Sequence, residues 1–347
     1  MNLYYFKERE IKMKKLAFLF LLALLILFNN ARFGLAVAKD QPNQVQEKQS
    51  DKVSNSLKFI ELQNITTKAG SKINFLTKDN NLYITSCTAE TVNINELKPI
   101  ELISNGSKIL LNRSNSLPKG YLPQNLVKIK DKKVKLQYSN LKLTQKTTDS
   151  LYSMIDGAKK SNVKGFIINS AYRSESVQQE IFNSNLKVFR KTSKTYNEAY
   201  EKTRQLVALP GNSEHQTGLA LDIFSVKGLH RNDFVGTKEQ LWLEKNSYKY
   251  GFIIRYPKDK TKETNSTYEP WHIRYVGIPL SSYLYHKNLC LDEFYDKIFT
   301  GEILEDNNYA FIKIKDNQKI YADKALISKA ELETVIKGTS LLTFKKN

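Results

Sequence analysis

The 347-residue chain is poor in cysteine. It holds only Cys87 and Cys290, which excludes a disulfide framework and a cysteine-built metal site. Two buried thiols or one bridge remain, and unpaired thiols are favoured. Acidic side chains are also short, 35 Asp and Glu against 54 Lys and Arg, a formal net charge of +19. The first 38 residues account for six basic and two acidic side chains, so the remainder still carries +15. Such an imbalance favours polyanionic surroundings, whether nucleic acid, anionic lipid or anionic wall polymers. The basic residues are spread along the chain and form no arm or repeated stripe, which reads equally well as a solvated surface. Long apolar runs are lacking too. The one present, Leu16 to Phe28, has 13 residues, short of the roughly 20 that span a bilayer. No sequence repeat links the two ends.

What the sequence does have is 41% apolar residues, enough for a sizeable core and too many for a disordered chain. The apolar run follows Lys12, Lys14 and Lys15 and precedes Ala36-Val37-Ala38, a small-residue cleavage pattern. Residues 1–38 therefore read as a signal peptide or N-terminal anchor, with Met13 an alternative start, and either places the rest outside the cytoplasm. Residues 39–57 are polar and read as a flexible linker. Residues 58–105 read as a small β-rich module, in which Lys72–Thr77 and Leu82–Ser86 flank a hairpin turn. Residues 300–347 look similar: Phe311–Lys315 and Lys319–Tyr321 flank Asp316-Asn317-Gln318, and Leu341–Phe344 is a further strand.

The middle, 106–299, mixes helices and strands without βαβ alternation, which predicts an α+β fold. Leu151, Met154, Ile155 and Ala158 share one helical face. Phe166–Ser170 reads as a buried strand, and Ser174 caps a helix presenting Val177, Ile181 and Phe182 on one side. Thr237 and Glu239 begin a helix that Gly251 ends. Phe252–Tyr256 and Trp271–Val276 read as strands. Pro279 opens a last long helix to about Phe299.

Two segments carry the chemistry. In Pro210–Asp222, His215 and Asp222 supply an imidazole and a carboxylate, both good zinc ligands. Alternation along a strand buries Leu219, Leu221 and Ile223 and turns Asp222 to the opposite face, which Gly218 and Ala220 keep open. In Glu269-Pro270-Trp271-His272, the proline precludes a helical H-E-x-x-H arrangement. A turn into a strand instead offers His272 as a third ligand, with Glu269 beside it as a base. Three protein ligands with a fourth position open is the catalytic pattern for zinc. Arg173, at the end of the Phe166–Ser170 strand, is the candidate cation for a tetrahedral oxyanion. Of the four histidines, His230 and His286 fit no ligand position and read as ordinary surface or helix residues.

Together, S-A-Y-R-S at 170–174, P-G-N-S-E-H-Q-T-G-L-A-L-D at 210–222, Y-G-F-I-I-R-Y-P at 250–257 and E-P-W-H-I-R-Y-V-G at 269–277 resemble the VanY-type D-alanyl-D-alanine carboxypeptidases. These share a hedgehog/DD-peptidase-like fold with the dipeptidases of vancomycin resistance. The resemblance covers roughly residues 108–290. It implies an antiparallel sheet with surrounding helices. It implies one zinc ion on His215, Asp222 and His272, with Glu269 as catalytic base and Arg173 steadying the transition state. It places Ser213 on the substrate's terminal carboxylate or backbone, Gln178 in the same pocket, and Tyr256 and Trp271 along the cleft. Family members often carry an aromatic residue after the Y-R-S block, where this chain has Glu175 and Ser176. That departure bears on the pocket wall and not on the metal. The expected activity is removal of the C-terminal D-alanine from peptidoglycan stem peptides, at a D,D or an L,D bond, in the cell envelope. Anionic wall polymers or a membrane surface are further expected partners. Nucleic-acid binding conflicts with the export signal. The alternative is a zinc-containing wall-binding protein without turnover, which would have no need of the base at Glu269.

Overall fold

The computed structural model describes residues 60–66, 70–103, 106–301, 303–315, 317–336 and 338–346. The expected export segment and linker, and residues 58–59 of the first β-rich segment, lie outside the described residues. The described residues form an α+β protein with three five-stranded sheets and one two-stranded ladder, β6 (Leu126–Lys128) with β8 (Lys142–Thr144).

The sheet that carries the chemistry orders its strands β11-β12-β10-β9-β7. These are Phe252–Tyr256, Glu269–Tyr275, Ala220–Ser225, Phe166–Ser170 and Lys135–Leu136. All neighbours are antiparallel except the edge pair β7 and β9. The helix Gln145–Lys160 covers one face with the predicted Leu151, Met154, Ile155 and Ala158, all buried. They share a core with Ile168, Leu221, Ile223, Phe252 and Ile273. Each fully buried aliphatic chain contributes about 1.5–3 kcal/mol relative to exposure. This packing turns the alternate residues of β10 and β12, including Asp222 and His272, away from the helix.

The next helix, Glu175–Arg190, is capped by Ser174, whose hydroxyl accepts from the Val177 amide. Its inward side is Gln178 and Phe182, whereas Val177 is 41% exposed. The polar Gln178 is buried because its amide donates to the Ala208 carbonyl at 2.7 Å. The expected long last helix is two helices, Ile278–Lys287 and Leu291–Phe299. Asn288 at φ 51° ends the first in the left-handed region. Cys290 starts the second in a capping box, its amide donating to Glu293 at 2.9 Å. Asparagine and cysteine are weak boundary signals beside glycine and serine, so the break is hard to read from sequence.

The two ends of the described chain interlock. One sheet runs β1-β2-β3-β15-β4, from Ile60–Thr66, Lys72–Lys78, Asn81–Thr85, Ile320–Ala322 and Lys98–Pro99. The other runs β13-β14-β17-β16-β5, from Leu304–Glu305, Tyr309–Lys315, Thr339–Lys345, Ala330–Ile336 and Leu102–Ile103. A late strand thus enters the first sheet parallel to β3, and an early strand enters the second parallel to β16. The predicted hairpin at 72–86 forms. The strands flanking 316–318 join different sheets. Ile312, Ile314, Leu342 and Phe344 of β14 and β17 face a core shared with Phe75 and Ile84. Phe311 and Leu341 face the helices at 278–299 through Tyr283 and Phe294. Cys87 and Cys290 are free thiols. Among the described residues, no helix is long and apolar enough to cross a membrane.

Candidate metal centre and active site

His215 sits on a short 3-10 helix, Glu214–Thr217, which Gly218 ends at φ 67°. A Cβ at Gly218 would lie 2.8 Å from Leu126 Cδ2, so both backbone and packing require glycine there. The turn delivers His215 directly ahead of β10, which carries Asp222. Asp222 stands opposite His272 on β12, so one antiparallel rung supplies two of the three candidate ligands. The ligand atoms of His215, Asp222 and His272 all lie within 4.8 Å of one another.

The imidazoles are held by opposite nitrogens. His215 Nδ1 is 2.7 Å from the Ala171 carbonyl and donates to it, which leaves Nε2 buried with no hydrogen-bond partner. That nitrogen is 3.4 Å from Asp222 Oδ1. His272 Nε2 is 3.3 Å from Glu214 Oε2, and its Nδ1 is 3.3 Å from Asp222 Oδ1. The rings meet edge to face at 4.9 Å. A backbone carbonyl or carboxylate on the far nitrogen of each ring is the usual outer support of a metal-binding histidine.

Two irregularities in the sheet aim the remaining groups. Between Ser170–Asp222 and Ile168–Ile223, two residues of β9 oppose one of β10. Between Tyr256–Glu269 and Ile254–Ile273, β12 advances four residues against two of β11. Residues three apart on a regular strand face opposite ways, yet Glu269 and His272 line one cavity, and the second bulge supplies the extra turn. The cavity has a volume of about 310 Å³ and is also lined by Arg173, Gln178, Ser213, Tyr256 and Trp271. All nine residues singled out in the sequence therefore border one space.

Burial, the largest influence, lifts the Glu269 carboxyl above the usual range, while His272, Arg231 and Arg173 oppose it. Burial also raises Asp222, but the two imidazoles outweigh it and hold the carboxyl well below its usual range. Burial and then Arg173 push His215 down to about 4. Burial also works to lower His272, but its hydrogen bonds to Asp222 and Glu214 outweigh this and raise it to about 9. Burial pushes the Tyr256 phenol up, so it stays a donor at neutral pH; its ring lies 5.2 Å from that of His272. Arg173 Nε is buried without a partner, as is Gln178 Oε1. Trp271 stacks on Phe224 at 5.9 Å and has the Arg231 guanidinium 4.8 Å from its ring.

Sequence reading passed over a charged cluster behind the ligands. Glu214 Oε1 accepts from Arg255 Nε at 2.8 Å and from Arg274 Nη1 at 2.7 Å. Arg255 also reaches Asp292 at 2.6 Å. Glu214 and both arginines are almost fully buried, and the guanidiniums hold the Glu214 carboxyl far below its usual range against the effect of burial. Arg255 and Arg274 were visible as charged residues within apolar strands, which is the signal that could have found them.

Residues 140–278 match the family model of the VanY D-alanyl-D-alanine carboxypeptidases. A putative carboxypeptidase, YodJ, of Bacillus subtilis (strain 168) is 36% identical over 234 residues, 64% of this chain and 80% of that protein. A D-alanyl-D-alanine carboxypeptidase of Enterococcus faecalis is 37% identical over 188 residues, 54% of this chain and 65% of that protein. The solved vancomycin resistance D,D-dipeptidase VanXYg, in complex with a D-Ala-D-Ala phosphinate analog, is 24% identical. It covers 69% of this chain and 94% of its own at a TM-score of 0.57, a likeness of fold.

Proposed function

Because the chain belongs to the VanY D-alanyl-D-alanine carboxypeptidase family, we propose that this cavity removes the C-terminal D-alanine from peptidoglycan stem peptides in a zinc-dependent reaction. The observation that carries the reading is the meeting of three ligand atoms within 4.8 Å beside a buried, lifted carboxyl and an unpartnered guanidinium nitrogen. The donor set of two imidazoles and one carboxylate suits zinc, and the orphaned His215 Nε2 is the buried polar atom that a metal would satisfy.

His215, Asp222 and His272 would hold one ion. When bound, zinc acidifies a coordinated water and polarises a carbonyl oxygen. Glu269 takes a proton from the attacking water and passes it to the nitrogen of the leaving D-alanine. Its raised affinity for protons suits both transfers. Arg173 donates to the oxygen that gains charge in the tetrahedral state. Ser213 and Gln178 bind the terminal residue, the hydroxyl donating to its carboxylate and Gln178 Oε1 accepting an N–H. Tyr256 and Trp271 wall the cleft. An intact Glu269 argues against a purely binding role.

The export pattern in the sequence and the excess positive charge both fit an enzyme working in the cell envelope among anionic polymers. We assign the interlocked terminal strands to one accessory unit. The test is mass spectrometry of defined muropeptides ending in D-Ala-D-Ala or in a single D-alanine after incubation with the protein. Free D-alanine from either stem, with the stem shortened by one residue, supports the reading, and none from both overturns it.

A further inference from the structure

The cluster around Glu214 buries two guanidiniums against two carboxylates, and such clusters are costly to desolvate unless every group is paired. Here they are paired, and the outer partners lead away from the cavity. Arg274 Nη2 donates to the carbonyls of Ser107 and Ile109, at 3.1 and 2.7 Å, and Arg255 Nη2 donates to that of Leu111 at 3.2 Å. The alternate residues of the same strap reach the other way. The Lys108 amide donates to Glu333 at 3.0 Å, and its ammonium pairs with both Glu331 and Glu333 of β16. The Leu110 amide donates to the Val335 carbonyl at 2.8 Å. Lys108 is 2% exposed and Glu333 is equally buried. A continuous set of hydrogen bonds therefore runs from β16 through residues 107–111 and two arginines to Glu214, and from Glu214 to His272 Nε2.

We propose that Glu214 is a positioning residue for the metal ligand His272, and that the 107–111 strap makes this positioning depend on the C-terminal sheet. Glu214 accepts the Nε2–H of His272, so that Nδ1, beside Asp222, is the nitrogen left for the metal. The arginines fix the carboxylate's direction. The strap carbonyls fix the arginines, and Lys108 fixes the strap. The proposal rests on the metal-site reading above.

Three proteins decide it: wild type, Glu214→Gln, and the double variant Lys108→Met with Glu333→Gln, which exchanges the buried strap pair for uncharged groups of similar size. Zinc affinity is measured by competition with a chromophoric chelator. The His272 ring nitrogens are read by ¹⁵N NMR in the zinc-bound and metal-free proteins, and folding by circular dichroism. Loss of an outer partner of a metal-bound histidine typically weakens binding by about 10–100-fold, and that is expected for Glu214→Gln, with loss of the fixed Nε2–H form of His272. The double variant is expected to lose zinc affinity several-fold while staying folded. Wild-type affinity and an unchanged His272 spectrum in folded Glu214→Gln overturn the positioning role. Wild-type behaviour of the folded double variant overturns the dependence on the C-terminal sheet, and should Glu214→Gln fail to fold, the zinc-bound wild-type spectrum decides the positioning role, which a His272 bound through Nε2 rather than Nδ1 overturns. Absence of zinc binding by the wild-type protein overturns the metal reading itself, and the proposal with it.

Discussion

The proposed chemistry turns on Glu269 and the two imidazoles, which the β12 bulge and the Glu214–Thr217 turn bring to one cavity. The His215–Asp222 segment and the Glu269–His272 segment carry their own spacing in the sequence, and strand alternation gives the facing of Asp222 and His272 but not that of Glu269, which the bulge turns into the cavity. The partners that tune them showed only as charged residues within apolar strands, with nothing local to say what they pair with. Glu214 is one residue from a ligand, yet its role depends on Arg255 and Arg274, which lie 41 and 60 positions away. Two expectations belong at this scale. Glu269→Gln should lower kcat by about 10²–10⁴-fold, the usual worth of a general base, with zinc content by elemental analysis unchanged. His272 takes up a proton with a midpoint of about 9 when the ligands face one another without a metal. Zinc must displace that proton, so apparent zinc affinity should rise by about tenfold per pH unit between pH 7 and 9 and level off above. Chelator competition across that range measures the slope, and a flat profile would show that His272 is already neutral at pH 7.

At the scale of elements, strand positions were legible from alternation and helix starts from their caps. Which strand pairs with which was not. The strands at 309–315 and 320–322 follow one another in sequence and enter different sheets, because pairing is settled by distant apolar faces. The division of the last helix at Asn288 escaped for a local reason, since a left-handed asparagine leaves a fainter mark than glycine. Gly218 is the element-scale residue with the largest expected consequence. Gly218→Ala forces a side chain into the left-handed region and against Leu126 and Thr144. It should cost about 2 kcal/mol in urea unfolding and also weaken zinc binding, because the turn it closes carries His215. The Ser174 cap gives a contrast. Ser174→Ala should cost about 1 kcal/mol and leave zinc affinity unchanged.

For the whole molecule, two β-rich ends were anticipated, but their exchange of strands was not, since nothing local records a partnership between Leu82 and Ile320 or between Leu102 and Leu332. Phe344 lies fully buried at the centre of the resulting core, edge to face with Phe75 at 5.9 Å. Phe344→Ala should lower stability by about 3–5 kcal/mol, measured by thermal unfolding with and without zinc. A stop after residue 300 should yield insoluble protein, because it uncovers Tyr283 and Phe294, opens one edge of β3 and leaves β5 without a neighbour.

The order of strands in the last sheet also sets a timetable. β17 is its central strand and the last strand in the described chain. The early strands β3 and β5 cannot find their parallel neighbours until residues 320–336 have been synthesised. Long-range pairing of this kind is slow and leaves strand edges open while it waits. The architecture thus withholds closure until those late strands arrive, and the proposed link from the C-terminal sheet to Glu214 extends the delay to the metal site.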